Sequence, residues 1–99
     1  MLEHPLKTLE KLDPKLVSMV EETRKFAFSE GALPKKYKFL IALAILTSQL
    51  ADEGIKTFAQ AALQAGATRD EVAETLRLAY YHSGASGIFT ANYSLKDII

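Results

Sequence analysis

Apolar residues recur at intervals of three and four along most of the chain, a period that predicts helices rather than strands. Leu2, Leu6, Leu9 and Leu12 are spaced this way and predict a short leading turn or helix within residues 1–12. Asp13-Pro14 is an N-cap followed by proline at the first helical position. Leu16, Met19, Val20, Phe26 and Ala27 then mark one face, Glu21, Glu22, Arg24 and Lys25 the other, and Gly31 is a natural stop. This pattern predicts a helix over roughly residues 14–29.

Pro34 opens a second helix whose first turns carry Lys35, Lys36 and Lys38, the wrong charge for the helix dipole there. Tertiary packing must override that cost. From Phe39 to Leu46 every residue is apolar. A buried strand competes for such a run. Ala42 and Ala44 inside it, and flanks without strand-type turn signals, favour a helix that is apolar all round, either central or in a subunit interface. Residues 47–54 change the register, so the helix breaks or bends there. A third helix follows to about Ala65, burying Ile55, Phe58, Ala59, Ala62 and Leu63, and Gly66 stops it. Thr68 and Glu71 form a capping box for a fourth helix with a stripe of Val72, Leu76, Ala79 and Tyr80, ending near Gly84. Ser86 is placed to cap a last helix through Ile88, Phe89, Ala91, Asn92 and Leu95. The expected architecture is all-α, one domain of five to six helices over residues 1–99, with 1–12 as a leading segment.

Composition narrows the function. A chain of 99 residues, 48% of them hydrophobic, builds only a modest core, so a partner subunit would help it. With no cysteine there is no disulfide, no thiolate metal site and no thiol redox chemistry. Twelve bases balance 12 acids, which argues against a general nucleic-acid binder, and neither half of the chain is strongly charged. The longest apolar run is eight residues, where a membrane span needs about 18 or more. The N-terminus has no signal-peptide core. The expectation is a cytoplasmic protein with no membrane or nucleic-acid partner.

Candidate chemistry is sparse. His4 lies in the leading segment. His82 follows Tyr80 and Tyr81 near a helix C-terminus, where the dipole favours it; its functional reading is a general acid or base at a pocket rim. Asp52-Glu53-Gly54 sits at a helix start, where carboxylates are favoured, and lacks the further ligands that a metal site requires. Lys35, Lys36 and Lys38 with Tyr37 read as a solvated helix start, and Tyr80, Tyr81 and Tyr93 as amphipathic aromatics. There is no P-loop and no Gly-x-Ser-x-Gly elbow. No metal and no cofactor is called for.

One ordered set of segments is more specific. Phe39-Leu-Ile-Ala-Leu-Ala44, residues 51–58, Ala61-Ala-Leu-Gln-Ala-Gly-Ala-Thr68 and Asp70-Glu-Val-Ala-Glu74 together resemble the carboxymuconolactone decarboxylase family. The closer likeness is to its alkylhydroperoxidase-like (AhpD-like) branch, over roughly residues 14–95. The resemblance implies an all-helical fold and a homo-oligomer, whether dimer, trimer or hexamer. For that branch it also implies a disulfide reductase with peroxidase activity. The branch's motif is Cys-x-x-Cys-x-x-x-His at a helix start, with a glutamate twelve residues before the first cysteine. Such spacing puts both thiols and the imidazole on one helix face. The helix N-terminus lowers the thiol pKa, and glutamate and histidine relay protons.

In this chain the two cysteine positions fall on Ala51 and Gly54, the histidine position on Phe58 and the glutamate position on Phe39. The expectation is a catalytically degenerate member of the family without thiol peroxidase activity. It would be a helical oligomer with an apolar pocket around Phe39 and Phe58 that takes a small ligand or a protein partner. The alternative is a cysteine-independent lyase or isomerase acting on a small organic acid, as in the decarboxylase branch. Its weak catalytic candidates are Glu53, His82 and Tyr81, and it predicts that His82 and an acidic residue converge on one polar cavity. Arg69, Arg77 and Lys56 read as surface helix charge.

Overall fold

The computed structural model describes residues 6–99; His4 and the start of the leading segment lie outside them. The described residues form six helices and no strand, as the periodicity predicts. They fall into two compact units, one ending at Glu30 and one running from Gly31 to Ile99. None of these helices is long and apolar enough to cross a membrane.

The first unit holds α1 (Lys7–Leu12) and α2 (Pro14–Ala27). Asp13 performs the predicted capping: its carboxylate accepts the Leu16 N–H at 3.0 Å, with Pro14 at the first helical position. Val17 is the buried residue of α2, whereas Leu16, Met19, Val20 and Phe26 are exposed. The stripe picked out by periodicity is therefore left uncovered.

The second unit holds α3 (Lys35–Ser48), α4 (Asp52–Gln64), α5 (Arg69–Ser83) and α6 (Ser86–Leu95). The all-apolar α3 is its central element, packed against α4, α5 and α6. Leu43, Ile55, Ala59 and Ala62 are fully buried at the centre of the core. Phe58 and Leu63 pack against it, so the predicted inner face of α4 is the observed one. Even so, α3 leaves Tyr37, Ile41 and Ile45 exposed, one above the other at successive turns.

Between α3 and α4 the chain breaks rather than bends. Ala51 N–H donates to the Leu46 carbonyl at 3.0 Å and Leu50 N–H to that of Thr47 at 3.2 Å, the paired bonds of a Schellman ending. Leu50 occupies its left-handed position with φ +58°. The same pair of bonds closes α4, where Gly66 stands at that position with φ +100°.

α6 departs from expectation. Its N-cap is Ala85, and Ser86 is already the first helical residue. Phe89, assigned to the helix stripe, is exposed, as is Tyr80 of α5. Gly87, Ala91 and Ser94 are buried instead. These small residues let α6 lie close to its neighbours and turn the large side chains outward.

The unfavourable lysines of α3 find a partner. Lys36 Nζ lies 3.0 Å from Glu71 Oε2. Glu71 Oε1 also accepts the Thr68 N–H at 2.9 Å, while Thr68 Oγ1 accepts the Glu71 N–H at 3.0 Å. The predicted capping box of α5 is thus tied to the start of α3. The Thr68 backbone bond and then Lys36 hold the Glu71 carboxyl below its ordinary pKa of 4.5, and the bond to Glu71 raises Lys36. A carboxyl depressed by folding stabilises the fold above its unfolded pKa, and the gain is lost as pH falls through the lower, folded value. Glu71→Gln should therefore lower the urea midpoint at pH 7, and its deficit relative to wild type should shrink as pH drops below about 4. Urea titrations at pH 7 and pH 3 check this; a deficit equal at both would contradict it.

Candidate functional site

The motif positions converge where α4 starts beside α3. Ala51 is the N-cap of α4 and contributes no capping side chain. Asp52, Glu53 and Gly54 follow in the first turn, with both carboxylates well placed for the dipole. The Ser94 hydroxyl on α6 donates to Asp52 Oδ1 and lies 2.9 Å from the Thr90 carbonyl, which fastens the α4 start to α6. Positions 51, 54 and 58 share one face of α4.

Of positions 39, 51, 54 and 58, two are in ring contact. The rings of Phe39 on α3 and Phe58 on α4 have centroids 6.1 Å apart with planes inclined at 44°. Both are half-buried against the core. Leu46 closes over Gly54, where an added Cβ would lie 3.0 Å from Leu46 Cδ1. None of the side chains of Phe39, Ala51, Gly54 and Phe58 can move a proton.

The other candidates are dispersed. Tyr81 and His82 meet edge to face with ring centroids 5.0 Å apart, both exposed at the end of α5. His82 borders a shallow cleft of about 150 Å³ with Ala44, Ile45, Ser48, Leu78 and Ala79, and no carboxylate lines it. Glu53 is exposed at the start of α4 and does not line that cleft. Among the described residues no group of three or more histidines and acids is placed to hold a metal ion.

Two larger clefts lie elsewhere in the second unit. One of about 390 Å³ separates α3 from α5, lined by Tyr37, Ile41, Leu78 and the acids Glu71 and Glu74. The other, about 440 Å³, separates α5 from α6. Arg69 and Lys96 line it with Leu76, Ile88, Asn92 and Ile99. Neither phenylalanine of the motif lines any of these clefts. Sequence reading assigned Arg69 to surface charge. A weak signal was present in Ile88, Asn92 and Lys96, which recur every fourth residue along α6 and past its end. Lys56, read the same way, lies 4.0 Å from Asp97.

Comparisons with known proteins bear on the family and the fold. No curated protein matches the chain. Among solved structures, the crystal structure of an apo carboxymuconolactone decarboxylase family protein from Legionella pneumophila is similar, with 32% identity and a TM-score of 0.83. The match covers 92% of this chain and 81% of that one. The family model described as carboxymuconolactone decarboxylase matches residues 14–92, nearly the whole length. With the family model matching most of its length and the structural likeness in accord, the chain belongs to the carboxymuconolactone decarboxylase family.

Proposed function

We propose that this chain is a catalytically degenerate member of its family, related to the alkylhydroperoxidase-like branch, that binds rather than transforms. One observation carries the reading: Phe39 and Phe58, at the positions of the branch's proton-relaying glutamate and histidine, are in ring contact 6.1 Å apart, in a chain with no cysteine. The ring contact also supports the alignment itself, because the two positions must adjoin for such a relay to work. Peroxide reduction of this type passes through a thiolate and then a disulfide, so a chain without thiols has no acceptor for the peroxide oxygen. With a dithiol reductant, peroxide consumption should not exceed that of a heat-inactivated control. Turnover well above that control overturns the reading.

The lyase or isomerase alternative finds less support. It needs His82 and an acid in one polar cavity, and the cleft beside His82 is lined by apolar residues and Ser48. We also infer a homo-oligomer. The exposed stripe of Tyr37, Ile41 and Ile45 on α3 supports it, since such a face gains from a covering subunit.

A further inference from the structure

We propose that the cleft between α5 and α6 is a binding site for a medium-chain carboxylic acid, with the carboxylate held by Arg69 and Lys96 and the tail on the apolar wall. α5 and α6 are joined by residues 84–85 alone, so they form a helical hairpin. Its open end brings together Arg69, the first residue of α5, and Lys96, the residue after α6. Both line the cleft, and no aspartate or glutamate does. Among the side chains that line the cleft the only charges are therefore positive.

The guanidinium already holds an oxygen. Arg69 Nη2 donates to the main-chain oxygen of Ile99, the last residue of the sequence, at 2.9 Å. A guanidinium so placed offers further N–H groups to a carboxylate. The Lys96 ammonium lies 4.8 Å from the centre of the Tyr93 ring, on a stem that can swing. Away from this end the walls are Val72 and Leu76 on one side and Ile88, Ala91 and Leu95 on the other. At about 440 Å³ the cleft is near the small end of ligand sites. An apolar body with one anionic head matches the lining at both ends, whereas a polar polyanion or an apolar cation matches only part of it.

The site shares no residue with the motif positions, so a peroxide assay and a binding assay fail independently. Calorimetric titration of the full chain with decanoate should show saturable binding, and decylammonium, with the same tail and opposite charge, should not bind. Arg69→Gln and Lys96→Gln should each weaken decanoate by about tenfold. Lys35→Gln, on α3, should leave it unchanged. Methyl resonances of Leu76, Ile88 and Leu95 should shift on titration. Far-ultraviolet circular dichroism reports whether each variant is folded, and the two charge variants at opposite sides of the mouth check each other. Absence of binding, equal binding of the two amphiphiles, or unchanged affinity in both variants overturns the proposal. So does a cleft closed by a second copy, which would show as a lower sedimenting mass in Leu76→Glu with no decanoate heat in the wild type.

Discussion

Leu43→Ala should destabilise the second unit by about 3 kcal/mol. Leu43 is fully buried on the inner side of α3 and belongs to the cluster with Ile55, Ala59 and Ala62. The alanines of α4 are already small. They have no side chain to swing into the space that truncation leaves, so the cavity term adds to the lost transfer energy. Ile45, two residues on, is 53% exposed. Ile45→Ala should change unfolding by less than about 0.5 kcal/mol at concentrations where the chain is not assembled. Urea unfolding of the two variants, read as a shift in midpoint at unchanged slope, measures both. Equal effects would mean that α3 does not present the faces described.

That contrast shows what the apolar pattern does and does not encode. From Phe39 to Leu46 no polar residue marks a solvent face, so the sequence identifies a central helix without saying which side is covered. Neighbours decide it: α4, α5 and α6 cover Leu40, Leu43 and Thr47 and leave Ile41 and Ile45 open. Where polar residues do alternate with apolar ones, as in α4, the inner face was readable residue by residue. The capping box of α5 was equally legible, because Thr68 and Glu71 meet through local bonds only. The reach of Lys36 to Glu71 was not, since it spans 35 residues and depends on how α3 and α5 pack.

The shared helix face of three candidate positions was legible for a different reason. Ala51, Gly54 and Phe58 are related by spacing along one helix, and helical geometry carries that to a shared face. Phe39 entered only through the family's pattern, and the ring contact with Phe58 is what tertiary structure adds. The α3–α4 break shows the opposite limit. At the end of α4 the left-handed position carries glycine and can be read; at the end of α3 it carries Leu50, a residue that pays about 1 kcal/mol or more for that conformation and gives no local sign of it. The α5–α6 cleft is likewise a product of hairpin closure, because Arg69 and Lys96 are far apart in sequence and adjoin only when α6 returns along α5.

Gly87→Ala should lower stability by about 2 kcal/mol, a fall in Tm of roughly 10 °C for a domain of this size. A Cβ built on Gly87 would lie 2.4 Å from the Thr47 carbonyl oxygen and 3.0 Å from Thr47 Cγ2. The obstacle is backbone. Thr47 is buried, and its hydroxyl donates to the Leu43 carbonyl at 2.7 Å, so it sits in a turn of α3 that is held from both sides. Relief requires α6 to move away from α3. That displacement would disturb Ala91 and Leu95 in the core and the Ser94 bond to Asp52 at the start of α4. Alanine's advantage over glycine inside a helix, at most about 1 kcal/mol, acts in the other direction and is too small to offset the clash. A thermal melt followed by circular dichroism separates the two: an unchanged or higher Tm would show that α6 does not approach Thr47 so closely, and a large fall places the glycine at the contact that seats α6 on α3.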